Sequence, residues 1–234
     1  MSDPKGSNGS LYRLLAWLSP GFPIGSFAFS HGLEAAAASG AIRDRDSLLL
    51  WLSAILASGG GRVDADILRD AHRASSTGDI STLTDANRRG VAFRAAAETR
   101  LETTAQGEAF LATCRAAWPN PFLDCWAKGI SEIGEAVCYP AAVGAATAQA
   151  GIPLDCALLG YLQALASNLI SAGLRLGVVG QTDGQRILAA LEPVIGAAVT
   201  VALTRDADAF GSATFAVELS SMAHETQYTR LFRS

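Results

Sequence analysis

A basic surplus is the first thing this sequence lacks. Its 18 Lys and Arg are outnumbered by 22 Asp and Glu, for a formal net charge of −4, and the pI is about 5.4. Binding along a phosphate backbone needs a basic face, so nucleic acid is excluded as the main ligand. Polybasic runs and long acidic tails are absent too. Charge of either sign is sparse: 17% of residues are charged against 50% hydrophobic, with a mean hydropathy of +0.25. An excess of apolar surface of that kind goes into partner interfaces as well as the core.

Metal-ligating and nucleophilic residues are also few. The three histidines are His31, His72 and His224, and the four cysteines lie 11, 13 and 18 residues apart with no C-x-x-C pair. Core thiols are the expectation for Cys114, Cys125, Cys138 and Cys156. Asp64, Leu68 and His72 share a helix face, read here as a solvated one because no third ligand joins them. His31 and Glu34 form an i,i+3 pair suited to structural hydrogen bonding. Glu98 and Glu102 share a face that reads as solvated surface. The chain has no P-loop, no dinucleotide-binding glycine fingerprint and no G-x-S-x-G elbow. One histidine and one carboxylate make no complete catalytic set.

Uncharged runs occur at 136–154 and 156–174, either side of Asp155. Each could span a bilayer by length, but prolines, glycines and amides interrupt them and few cations flank them. They read as buried helices, with no membrane role. The opening "MSDPKGSNGS" has no apolar signal region and reads as a flexible polar leader over residues 1–10.

What remains is helical periodicity almost throughout. A Pro/Gly loop, "SPGFPIGS", follows "LYRLLAWL". "FAFSHGLEAAAASG" reads as one helix closed by Gly40, and Asp44 and Asp79 are placed to cap the helices after them. "PNP" at 119–121 ends a helical stretch, and Pro153 suits the first turn of a long helix in which Leu154, Leu158, Leu162, Leu165 and Leu169 line one face. Asp183 is placed to cap the next helix, which Pro193 kinks without ending, and 205–214 read as a loop. With no period-2 pattern, the fold class is all-α: a single-domain bundle of roughly ten helices over 11–223. The segment 224–234 is a separate tail.

That tail is the densest polar and aromatic stretch of the chain, with His224, Glu225, Gln227, Tyr228, Arg230, Leu231, Phe232 and Arg233 in ten positions. Tyr, Phe and Arg dominate interface hot spots, so the tail is expected to dock on the protein's own body or on a partner. Arg175 is the lone cation between Lys128 and Arg186, at the end of an apolar helix, and needs a carboxylate, a helix C-terminus or a partner.

"MAHETQYTRLFRS" closely resembles the C-terminal motif of the urease accessory protein UreF family, and "LSPGFPIGSFAFSHGLEAAAASGAI" its proline–glycine loop and following helix. "VDADILRDAHRA", "ETRLETTAQGEAFL", "YPAAVGAATAQAGIP" and "LISAGLRLGVVGQTDGQRIL" extend the likeness from about Leu11 to Ser234. The chain departs from the pattern at Ala28-Phe29 and near Gly177–Val179. Matching positions in the middle include Asp64, Glu98, Arg100, Gly107, Pro140 and Gly144.

The resemblance implies a cytoplasmic, all-α, non-enzymatic protein that helps load nickel into apo-urease. It implies a homodimer that bridges UreD (UreH in some organisms), and through it apo-urease, to the GTPase UreG. No cofactor is expected to bind tightly, with nickel passing only transiently. The alternative role is a GTPase activator or fidelity checkpoint acting on UreG. Carried to matching positions, the partner-binding residues implied are Pro23, Gly25, Ser26, Glu34, Arg175, Gln181, Gln185, His224, Glu225, Tyr228, Arg230, Phe232 and Arg233.

Overall fold

The structure, a computed structural model, describes residues 4–234. They form eleven α-helices, with two 3-10 turns and, among the described residues, no strand. In chain order these are α1 (Pro4–Trp17), α2 (Leu33–Ala38), α3 (Arg45–Ser58), α4 (Gly60–Ser76), α5 (Ile80–Ala92) and α6 (Ala97–Ala117). They continue with α7 (Pro121–Glu132), α8 (Tyr139–Gln149), α9 (Leu154–Arg175), α10 (Gln181–Thr204) and α11 (Phe215–His224).

α4 is the axis of the bundle, with α8 as its main neighbour and α3, α5, α9 and α10 around it. The α4–α8 crossing is close because α8, "YPAAVGAATAQ", is built of small residues. A Cβ at Gly144 would lie 2.5 Å from the Leu68 carbonyl oxygen, nearer than any real carbon sits. At one end, Trp17 and Phe22 pack on Phe110 and Trp118, and the aromatic chain continues through Tyr139 to Tyr161.

Local chemistry sets most boundaries. Asp44 and Ser47 form a reciprocal capping box on α3, and Asp79 caps α5 through the Thr82 amide at 3.0 Å. Asn120 and Pro121 start α7. α10 runs through Pro193 without ending.

Several expectations are corrected. Residues 4–10 of the polar leader belong to α1, where Ser10 Oγ donates to the Ala150 carbonyl; residues 1–3 lie outside the described residues. The stretch expected as one helix up to Gly40 is broken by two left-handed residues, His31 (φ 56°) and Gly32 (φ 74°), so α2 starts only at Leu33. Asp183 sits within the first turn of α10, whose cap is Gly180.

Asp64, Leu68 and His72 are buried rather than solvated, because α4 is covered on nearly every side. Asp64 accepts from Arg94 at 2.7 Å and Tyr161 at 2.8 Å; His72 Nε2 lies 2.9 Å from the Ile152 carbonyl. Cys114 and Cys138 are core thiols, pushed up to about 12 by burial, but Cys125 and Cys156 are exposed. α9 and α10 are each long and apolar enough to cross a membrane, and both pack as members of the bundle.

Candidate functional site: the docked tail

The tail is folded back onto the chain's own first third, and the break before α2 makes that possible. Gly32 lies so close to α11 that a Cβ there would be 2.6 Å from the Ser221 amide nitrogen. No side chain fits, and its left-handed backbone also favours glycine. The approach sets the end of α11 over the first turn of α2, bringing His224 to Glu34.

Three glutamates then receive the tail. Glu34 takes the Leu231 amide on Oε1 at 2.7 Å and the Phe232 amide on Oε2 at 2.9 Å, with His224 Nε2 at 3.0 Å. Glu98 takes His224 Nδ1 at 2.6 Å and Arg230 Nη1 at 2.6 Å. Glu102 accepts from Ser234 Oγ at 3.0 Å and from Gln106 at 3.1 Å, while His31 Nδ1 stands 3.0 Å away at ion-pair range. His224 is completely buried between two carboxylates, one at each ring nitrogen. Hydrogen bonds to an ionised carboxylate are stronger than neutral ones.

Main-chain bonds complete the seam: Arg233 N–H donates to the Ala28 carbonyl at 2.8 Å and Ser30 N–H to the Ser234 oxygen at 2.8 Å. Ser30 Oγ also donates to that oxygen. Glu225 accepts from the Ala97 amide at 2.7 Å, supplying the cap that Ala96 cannot give α6.

The charges shift as this packing requires. Burial pushes the Glu34 carboxyl up, but the Leu231 amide, His224 and the Phe232 amide more than offset it, leaving Glu34 below its ordinary 4.5. Burial pushes His31 down, yet the Glu102 charge and hydrogen bond outweigh it and hold the ring above its ordinary 6.5.

Arg175 closes the outer side. Its guanidinium donates to the Phe27 carbonyl, lies 4.3 Å from the centre of the Phe232 ring and 5.6 Å from that of Phe27. Phe232 is buried, whereas Phe27 is 70% exposed, Leu231 63% and Tyr228 fully so. The seam thus uses alternate residues inward and leaves an apolar and aromatic rim outward.

Of the residues named from sequence, the seam brings together Glu34, Arg175, His224, Glu225, Arg230, Phe232 and the Arg233 backbone. Ser26 shares no hydrogen bond with the tail; its carbonyl accepts from Asn168 of α9 at 3.1 Å. Pro23 and Gly25 are exposed on the loop, with Gly25 left-handed at φ 71°. Gln181 and Gln185 are exposed at the start of α10 and share no hydrogen bond with the tail. Glu98 and Glu102 were missed as tail receptors: they are not a solvated face, because the tail covers them. The i,i+3 pair His31 and Glu34 divides, one side chain going to Glu102 and the other to His224.

Behind the seam lies a cavity of about 270 Å³ whose wall includes His31, Asp64, Arg94, Glu102 and Tyr161. Among the described residues no group of three or more His, Cys, Asp or Glu is arranged to hold a metal ion. The three tail-binding glutamates already face donors on both oxygens. The chemistry of the site is that of a fastening.

The UreF family model matches residues 42–192. Curated proteins named urease accessory protein UreF match over nearly the whole chain. The one from Bradyrhizobium sp. strain BTAi1 is 50% identical over 225 residues, 96% of this chain and 92% of the relative. Those from Rhodopseudomonas palustris strain BisB5 and Xanthobacter autotrophicus strain Py2 are each 48% identical, over 97% and 96% of this chain and 92% and 91% of theirs.

Proposed function

The chain belongs to the UreF family of urease accessory proteins, and on that premise we propose that it is a non-catalytic, cytoplasmic adaptor in urease maturation. In this reading it bridges UreD (UreH) on apo-urease to the GTPase UreG while nickel, as cargo, is delivered, and it works as a homodimer. The observation that carries the reading is the seam itself. The tail is ordered by its own chain, its Tyr228 and Leu231 are exposed, and so is Phe27, which lies beside Arg175. Large exposed apolar groups next to a cation are the composition of an interface centre.

The adaptor reading is preferred to a GTPase activator because an inserted arginine must be free to reach the nucleotide. Arg175 is tied to the Phe27 carbonyl and the Phe232 ring. Its guanidinium is therefore a support for the rim.

Co-purification with tagged UreD, adding UreG and nucleotide, tests the reading. The full chain is expected to form the complex and a chain ending at Ala223 to fail. Because truncation also strips three glutamates of their donors, Tyr228→Ala is the second variant, altering the rim while leaving the seam intact. Capture of every form with equal yield would remove the tail from the interface; capture of none would sink the adaptor role.

A further inference from the structure

At the end of the bundle formed by α1, the α6–α7 turn and the end of α8 lies a cavity of about 260 Å³. Its wall includes Arg13, Trp17, Cys114, Trp118, Asn120 and Gln149, and no Asp or Glu. Arg13 and Trp17 are one helical turn apart on α1, so both side chains reach the same space. Among the described residues Arg13 has no carboxylate partner. Trp17 is 3% exposed, and its Nε1–H has no hydrogen-bond acceptor.

A buried indole N–H without an acceptor is unusual and calls for one. Two protein acceptors nearby are already engaged: the Ala150 carbonyl takes Ser10 Oγ at 3.1 Å, and Asp124 of α7 pairs with Arg115 at 2.6 Å. Asn120 spends its Oδ1 on the Phe122 and Leu123 amides at 3.0 and 3.1 Å, and the positive end of the 12-residue α7 adjoins the cavity. Burial keeps the Cys114 thiol neutral, so no thiolate competes. A guanidinium with no carboxylate partner among the described residues and an orphan indole N–H, with no acid among the wall residues, form a donor set for an anion, and the dipole of the already capped α7 adds only its field.

We propose that the cavity between α1, α7 and α8 is a binding site for a small oxyanion, a phosphate or a carboxylate, held by Arg13 and Trp17. The site is separate from the tail seam and does not depend on the adaptor reading. Trp17 also stands edge-on to Phe110 and Trp118, at 83° and 84°; the rival account is that its N–H merely rests on an aromatic face.

The test follows the four tryptophan indole N–H signals in an ¹⁵N spectrum of the full chain. Inorganic phosphate and acetate are titrated in turn, with chloride as the ionic-strength control. The expected result is a saturable shift of the Trp17 signal with phosphate, acetate or both, and about tenfold weaker binding in Arg13→Gln. The tighter anion identifies the ligand class. Trp17→Phe, which keeps an aromatic ring and removes the donor, should weaken binding read from the backbone amides around the cavity, while the other three indole signals of the anion-free protein keep their positions. No shift, or a shift equal to that in chloride or unchanged in Arg13→Gln, would overturn the site and leave Trp17 to its aromatic neighbours.

Discussion

Glu34 is the residue on which the tail turns. One carboxylate holds two consecutive backbone amides and a buried imidazole. Glu34→Gln replaces one acceptor oxygen by a donor facing a donor. Breaking a buried, charge-assisted bond costs about 2 kcal/mol, so the Leu231 and Phe232 amides should exchange with solvent roughly thirtyfold faster. Unchanged protection would show that the backbone seam alone holds the tail. Acidity should act on the same carboxylate. Its folded value lies below the ordinary 4.5, so Glu34 binds a proton more readily once the tail is undocked, and the stabilisation present above that value is lost as pH falls through the lower one. His31 has the opposite sign: held above 6.5, it contributes fully below that value and loses its contribution as pH rises through its raised one. On these two groups, the seam is tightest between the ordinary value of Glu34 and that of His31. Protection of Leu231 and Phe232, corrected for intrinsic exchange, should decline below pH 4.5, and Glu34→Gln should flatten that decline.

Among the elements, α4 and α8 decide the bundle, and glycine decides how near they come. Gly144→Ala would place a methyl group 2.5 Å from a backbone oxygen, and backbone cannot swing aside as a side chain does. Overpacking of this kind costs about 1–3 kcal/mol, so the melting temperature should drop by roughly 2–12 °C for a chain of this size. Gly129 is the control. It lies inside α7 with nothing within 4 Å of its would-be Cβ, so Gly129→Ala should stabilise by about 0.5–1 kcal/mol. If calorimetry gave the two substitutions the same sign, close helix approach would not be the reason for Gly144. α11 shows the same logic at the surface. Val217 and His224 face inward, while Phe215, Leu219 and Met222 are exposed at i, i+4 and i+7, a one-sided stripe next to the seam.

Across the whole molecule, the apolar excess of the sequence divides between a continuous core and exposed faces on α1, α10, α11 and the tail. A chain with that surface is expected to associate. Sedimentation over the micromolar range should show a dimer, and a clean monomer would count against the interface proposed here. Tyr228 belongs to this scale because it touches so little of its own chain, being fully exposed. Tyr228→Ala should leave the melting temperature within about 1 °C while weakening partner capture about tenfold, the usual loss for an aromatic hot spot. A fall in melting temperature with normal capture would instead assign Tyr228 to folding.

Much of this was legible along the chain because it is local. Asp44, Asp79, Asn120 and Pro121 mark helix starts, and leucines every three or four residues mark α9, since capping and periodicity involve neighbours within a turn or two. The oddity of the tail was legible as well, because so many anchoring side chains in ten positions demand receptors. What local sequence cannot express is which receptors. Glu98 and Glu102 look like any solvated i,i+4 pair until a segment more than 120 residues away lies over them. Asp64 and His72 look like the outer face of an amphipathic helix until α8 and α9 close around α4. Local pattern was enough for an all-helical chain, several of its helix ends and a tail that needed receptors. Only the tertiary structure decided where the tail docks, because the energy of a carboxylate depends on the donors and the solvent around it, and both come from remote parts of the chain.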